Sequence, residues 1–458
     1  MNEPLDEPAR LAAALTQVMH RAGIRGAVDQ PQRLSGGANM QSWLFACGED
    51  RFVLRRAPSD EWTAGRPLDL TGEAAVIRHA RAGGVPAPEV VSELVPADGI
   101  GQGFVMRAIG GTAEPAAVLS GDPGAMIGDL AGALAAIHAI DPAPLDFLPR
   151  LVPAEGIEGL AAQFAGLGGN RPIIALGLAW LRRNLPPERP ARLVHGDFRV
   201  GNVMAEHGRL TGVLDWELAH TGDFHEDLAF GCMAVWRFGK LDRPAFGFAD
   251  LETFFGAYNA AGGAPVDRAA FRFWLVYRTV WWALGCLSMG VAWRSGTDRS
   301  LERVVVARRA AEQELDLLAL LEGDAPESER LRPLPFSTAE SPTPHGEPDA
   351  GEILTAVSEW LATSIKPKLV GSLEGRDRFD LAVAQNALGV IRRELATRPD
   401  PHDKALSDAL LAGSTTLATP GLLARLRRAA LDTCAADMPK YPSLAPTRAG
   451  WATSREDT

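Results

Sequence analysis

The chain has 458 residues, 46% of them apolar and 22% charged, which is enough to bury sizeable cores and too long for one ordinary domain. A formal charge of -11 argues against a nucleic-acid partner, since phosphate backbones are held by clustered Lys and Arg, whereas a single nucleotide brings Mg2+ and needs only a few local cations. Cys47, Cys232, Cys286 and Cys434 are scattered without C-x-x-C spacing, no run approaches the ~20 apolar residues of a membrane helix, and the acidic N-terminus has no apolar leader. The expectation is a cytoplasmic protein with reduced thiols, with neither nucleic acid nor membrane as a partner.

In chain order, an opening helix is predicted over Ala9 to Ala22. Short β-rich runs follow over Leu34 to Ala46 and Arg51 to Arg56, broken by glycines as in hairpin-connected strands. A helix over Gly72 to Ala82 ends at Gly83-Gly84, and Pro86 and Pro88 prevent its continuation. Glu89 to Leu94 and Gly103 to Ile109 read as two further strands. From Gly124 the pattern turns helical, with Met126, Leu130, Leu134, Ile137 and His138 on one face. Short strands and loops return over Leu193 to Leu214, then long helices over Leu251 to Ala260 and Phe271 to Trp293. Residues 324–348 are rich in Pro, Ser and Glu, which is linker chemistry. Beyond them, Ile353, Val357 and Trp360, and then Val383, Ala387, Val390 and Ile391, recur at helical spacing. The fold class is α+β, in two lobes over 1–110 and 111–323, followed by a small all-α domain over 349–458.

One segment carries chemistry. Leu193-Val-His195-Gly-Asp197-Phe-Arg-Val-Gly-Asn202 has the H-x-D-x-x-x-x-N spacing of a kinase catalytic loop, and Leu210-Thr-Gly-Val-Leu-Asp215-Trp-Glu217 follows with an Asp after a short apolar strand. Phosphoryl transfer needs a hydroxyl positioned, its proton accepted and phosphate charge neutralised. Asp197 suits the acceptor of that proton. Asn202 and Asp215 offer the oxygen ligands that Mg2+ prefers, from adjacent loops. His195 is expected to hold the loop.

These motifs resemble the aminoglycoside phosphotransferase and choline kinase branch of the protein-kinase-like superfamily, over most of residues 30 to 310. Gly196 after the histidine, and Asp215-Trp-Glu where protein kinases have D-F-G, point to the small-molecule branch. The resemblance implies a bilobal protein-kinase-like fold, ATP and Mg2+ as cofactors, and a small-molecule hydroxyl acceptor. It places Ser35, Gly36 and Gly37 in the loop over the nucleotide, and Arg55 at the phosphate-pairing cation, where lysine is usual and Arg56 is the neighbouring candidate. Glu73 becomes that cation's partner, Met106 and Ala108 part of the linker that bonds adenine, and Asp227 the aspartate that caps a helix and braces the catalytic loop.

Taken singly, several of these residues have plainer explanations. Gly36-Gly37 fits a hairpin turn, Arg55 with Glu73 a surface charge pair, and Asp227 a helix cap. Trp274, Tyr277, Trp281 and Trp282, at helical spacing, fit core packing. His195, Asp197, His220, Asp223 and His225 also permit a metallohydrolase site, which leaves Asn202 and Asp215 without a role. The rival classes are an inactive pseudokinase and an aminoglycoside or amino-alcohol kinase. Aromatics with Arg272, Arg278 and Arg294 suit an apolar or anionic alcohol, and the helix over Phe271 to Trp293 resembles the kinase-like domains fused to acyl-CoA dehydrogenases, which implies a hydroxyacyl-CoA acceptor. The C-terminal region resembles a helical domain of unknown function that trails such kinases, for which homodimerisation and a lid over the acceptor are both open.

Overall fold

The computed structural model describes residues 7–34, 40–59, 63, 66–335, 350–373, 375–397 and 401–452. The linker expected over 324–348 lies outside them from residue 336 onward. The chain divides into two compact units, residues 1–152 with 187–271, and residues 153–186 with 272–458.

The first unit opens with helix α1 (Glu7–Arg21) and a five-stranded antiparallel sheet in the order β1-β2-β3-β5-β4. The strands are β1 (Gln32–Arg33), β2 (Gln41–Cys47), β3 (Asp50–Ala57), β4 (Val90–Glu93) and β5 (Gln102–Arg107). Strand alternation decides what each face holds. Trp43 and Phe45 of β2, Phe52 and Leu54 of β3 and Val105 of β5 are buried with Leu11, Leu15, Val18 and Met19 of α1, the apolar stripe of that amphipathic helix. Each such side chain contributes about 1.5–3 kcal/mol on burial. Helix α2 (Leu70–Ala82), N-capped by Asp69 accepting from the Gly72 N–H, packs against β4 and β5.

After the short α3 (Pro115–Val118) comes α4 (Pro123–Ala139), with Asp122 as N-cap and Pro123 at its first position. Its buried Leu130, Leu134 and Ile137 lie in the helix that packs on β6 (Arg192–Val194) and β8 (Arg209–Val213). Two small antiparallel pairs follow: β6 with β9 (His220–Gly222), and β7 (Val203–Glu206) with β8. The β7–β8 turn has positive φ at both His207 (49°) and Gly208 (75°), as a two-residue hairpin of matching twist requires. Helices α7 (His225–Phe230) and α8 (Leu251–Ala260) complete this unit, and α8 packs on α4.

The second unit is helical: α5 (Pro153–Gly166), α6 (Pro172–Arg183), α9 (Arg268–Ser295, beginning in the first unit), α10 (Leu301–Ala307), α11 (Ala310–Leu321), α12 (Glu327–Arg330), α13 (Ala350–Trp360), α14 (Lys366–Leu369), α15 (Gly375–Thr397), α16 (Lys404–Leu411), α17 (Leu422–Asp437) and α18 (Leu444–Ala452). Helix α6 packs on α16, α11 and α5, and α17 packs on α11, α15 and α18. A buried Arg171–Glu314 pair joins the start of α6 to α11, and Arg427 of α17 holds Glu322 at 2.7 Å.

Helix α9 is long and apolar enough to cross a membrane by length and composition, but half of its most apolar window is buried inside the protein. Trp274 and Tyr277 are buried in it, which bears out core packing for those two. Arg272 is bonded to the Leu320 carbonyl and Asp324, and buried Arg278 stacks on Trp281 at 4.6 Å.

Candidate active site

The two small β pairs place two loops side by side, one between β6 and β7 (195–202) and one between β8 and β9 (214–219). Backbone bonds lock them together. The Leu214 N–H donates to the Asn202 carbonyl at 2.8 Å, and His195 Nε2 donates to the Leu214 carbonyl at 3.0 Å. His195 Nδ1 accepts the Asp197 N–H at 3.2 Å, so its two ring nitrogens span both loops. Burial keeps this imidazole below its usual pKa, against the opposing charges of Asp227 and Asp215. Gly196 has φ 82°, and a Cβ there would meet the Leu218 carbonyl oxygen at 2.4 Å, so only glycine fits.

Asp227, in α7, braces the first loop. Its carboxylate accepts the N–H groups of His195 (2.7 Å) and Gly196 (2.9 Å) and meets His138 Nε2 at 3.2 Å. Burial alone would raise its pKa, but the His138 bond, the neighbouring charges and the backbone donor hold it below the ordinary carboxylate range. It sits in the first turn of α7, whose N-cap is Phe224. Its bonds go to the loop and to His138 of α4, not to the start of α7, so it braces the loop without capping that helix.

Asp197 accepts from Asn202 Nδ2 at 2.5 Å and pairs with Arg199 Nε at 2.8 Å. Burial raises its carboxyl to about 6, against the pull of Arg199 and with a further push from Asp215. The Arg199 guanidinium also stacks over Trp236 at 4.2 Å. Asp215 has φ 65°, a left-handed backbone that costs a non-glycine residue about 1–2 kcal/mol and so marks a position fixed by its surroundings.

Facing these loops is the β3–α2 pair. Arg55 Nε meets Glu73 at 2.9 Å, and its Nη2 bonds Asp215 Oδ1 at 2.7 Å and Glu217 Oε2 at 2.8 Å. Arg56, one residue on, points to the opposite sheet face, where it bonds Gln41 (3.0 Å), the Ile100 carbonyl (3.0 Å) and Glu7. Period-two alternation thus chooses Arg55 over Arg56 for the site. The Arg55–Glu73 pair is buried, with side chains 10% and 3% exposed, so it is no surface pair. Burial pushes the Glu73 carboxyl up to about 7 even beside Arg55.

Met106 lies in β5 opposite Val53, and Ala108 follows that strand, donating its N–H to the Arg51 carbonyl at 2.9 Å. Ser35, Gly36 and Gly37 lie outside the described residues. His220 pairs with Glu226 (3.0 Å) and His225 with Asp223 (2.6 Å). Among the described residues no three His, Cys, Asp or Glu side chains converge as a metal site, which leaves the metallohydrolase alternative without support. Glu217, Arg66, Arg199 and His138 were not assigned from sequence. Glu217 and Arg199 stand inside the two motifs and were legible there. His138 looked like part of an apolar helix face, and Arg66, in a Gly-Arg-Pro stretch, carried no signal.

Residues 31–274 match the family described as phosphotransferase enzyme family (APH), and residues 371–441 match a domain of unknown function, DUF6285. Acyl-CoA dehydrogenase family member 10 of Mus musculus is 30% identical over 131 residues, which are 26% of this chain and 12% of the mouse protein. The chain thus spans only a small part of that relative. Homoserine kinase of Xanthobacter autotrophicus is 26% identical over 238 residues, 47% of this chain and 70% of that one. A Ralstonia eutropha crystal structure assigned as an aminoglycoside phosphotransferase shares the fold, with a TM-score of 0.56 at 20% identity over 68% of this chain and 98% of that one.

Proposed function

We propose, from the premise that the chain belongs to the phosphotransferase enzyme family, that it transfers the γ-phosphate of ATP to the hydroxyl of a small molecule with Mg2+ as cofactor. The observation that carries this is the setting of Asp197, Asn202 and Asp215 on two bonded loops, with Arg55 ion-paired to Asp215. Asp215 and Asn202 supply the oxygen donors for the metal. Two protein ligands suit Mg2+, which keeps waters and takes phosphate oxygens for the rest of its shell. When bound, Mg2+ neutralises phosphate charge.

The protein's own groups do the remaining work. Arg55, pre-positioned by Glu73, pairs with phosphate oxygens. Asp197 orients the acceptor hydroxyl and takes its proton as the oxygen attacks the γ-phosphorus and the bond to the β-phosphate oxygen breaks, releasing ADP. Asn202 holds the Asp197 carboxylate, while His195 and Asp227 keep both loops in register. At the adenine end, the Ala108 N–H is already used by Arg51, so Ala108 would meet a base through its carbonyl. The nucleotide-covering role of Ser35, Gly36 and Gly37 belongs to the same proposal.

For the acceptor we favour a hydroxyacyl-CoA. The partial likeness to an acyl-CoA dehydrogenase family member supports it, and so does the cationic Arg199 beside Asp197, which suits an anionic substrate. Calorimetry of ATP binding with and without Mg2+ tests the site first. Magnesium-dependent binding that Asp215→Ala abolishes is expected. Binding of neither ATP nor GTP under any metal condition would favour a pseudokinase. Acceptor turnover then separates hydroxyacyl-CoAs from homoserine and aminoglycosides, and failure of CoA esters to bind would remove the favoured class.

A further inference from the structure

We infer that Arg66 is a second phosphate-binding cation, held in the nucleotide-free enzyme by Glu217 and transferred to the polyphosphate of the nucleotide when it binds. The inference rests on the proposed nucleotide site and adds to it a residue and a competition that the motifs do not contain.

Two guanidinium groups converge on one carboxylate oxygen. Arg55 Nη2 lies 2.8 Å and Arg66 Nη1 3.1 Å from Glu217 Oε2. Arg55 is otherwise committed, with Glu73 behind it and Asp215 beside it. Arg66 stands three residues before Asp69, the N-cap of the helix that supplies Glu73. Its side chain is 20% exposed, against 10% for Arg55, so an incoming ligand can reach it without unpacking the core.

The charges explain why the pair waits on Glu217. Among the described residues, Arg55 and Arg66 form ion pairs with Glu73, Asp215 and Glu217, three carboxylates against two cations. Asp215 is the proposed metal ligand, and in that role it would no longer hold Arg55. Glu217 then competes with the nucleotide for both arginines. Guanidinium forks bind carboxylate and phosphate with the same planar geometry, so phosphate oxygens can take the place of Oε2 without a new arrangement of donors. In this way Glu217 holds both cations at the phosphate position before the nucleotide arrives and weakens its binding in proportion.

The test is calorimetry of ATP and of adenosine on the full-length protein, for wild type, Arg66→Ala, Arg66→Gln and Glu217→Gln. Loss of one charge-assisted contact predicts MgATP affinity about 10- to 100-fold weaker in both Arg66 variants, with adenosine affinity unchanged. Glu217→Gln is expected to bind metal-free ATP more tightly than wild type, because the competing charge is gone. Thermal unfolding of each variant confirms that it is folded, and Arg66→Gln serves if Arg66→Ala is not. Wild-type MgATP binding matched by a folded Arg66 variant overturns the inference and leaves the kinase site standing. An equal loss of adenosine affinity overturns it too, since that marks a structural role. Weaker metal-free ATP binding by Glu217→Gln overturns the competition. A wild type that binds no nucleotide overturns the kinase site and this inference together.

Discussion

Asp227→Ala removes the acceptor that holds the 195–202 loop. The carboxylate is fully buried and takes two backbone N–H groups, at 2.7 and 2.9 Å, with His138 at 3.2 Å. Each buried donor left without a partner costs about 1–3 kcal/mol. Three of them, less the relief of no longer burying a carboxylate, give about 4 kcal/mol. For a unit of this size each kcal/mol moves the melting temperature by about 2–4 °C, so a drop of about 10 °C is expected in scanning calorimetry. Asp227→Asn keeps the volume and one acceptor oxygen but turns an N–H2 toward a donor, and should fall about halfway. The pH dependence has a fixed sign. The folded pKa is depressed, so the contribution is complete above the unfolded value near 4 and is lost as pH falls toward the folded one. The gap between variant and wild type therefore narrows only below about pH 4. An Asp227→Ala protein melting within about 2 °C of wild type at neutral pH would refute the brace.

Three further outcomes follow from the site. Asp197→Asn should lower kcat by about 10²–10⁴ while leaving MgATP affinity intact by calorimetry, and full turnover would remove its role as base. Burial holds the Asp197 proton to about 6, and a base must be ionised, so kcat/KM should fall as pH drops through about 6. Arg199→Gln, which removes an opposing cation, should move that limb upward. Arg56→Ala should destabilise by about 3 kcal/mol in thermal unfolding with nucleotide affinity unchanged, whereas Arg55→Ala should weaken MgATP binding. The reverse pattern would contradict the strand register.

The β-sheet at the N-terminal side and the helices over 70–82, 123–139 and 251–260 were legible because each has a local signature, a cap or an apolar period. The compact units, 1–152 with 187–271 and 153–186 with 272–458, do not follow the expected division at residues 110 and 323. Helices α5 and α6 were passed over. Helix α6 is buried almost end to end, so it had no one-sided stripe to read, whereas α5 carries a short one in Ile157, Leu160 and Phe164 that three residues among glycines and alanines made faint. The choice between Arg55 and Arg56 was illegible for another reason. Two adjacent arginines are equivalent in sequence, and only the pairing of β3 with its neighbours assigns each to a face. His138 could not be read as a brace because its partners, Tyr258 at 2.8 Å and Asp227, lie 120 and 89 residues away.

Arg55 explains why the substitution of arginine for the usual lysine is compatible with this site. A lysine ammonium is a point charge, whereas the guanidinium presents separate N–H groups, and here Nε serves Glu73 while Nη2 bridges Asp215 and Glu217. One side chain therefore links α2, β3 and the loop that carries the proposed metal ligand. Arg55→Lys can satisfy Glu73 or the Asp215–Glu217 pair but is too compact to span both. Its first deficit should be the alignment of Asp215, seen as weaker magnesium dependence of ATP binding, with affinity for metal-free ATP largely kept. If the two affinities fell together, the arginine would be acting through charge alone.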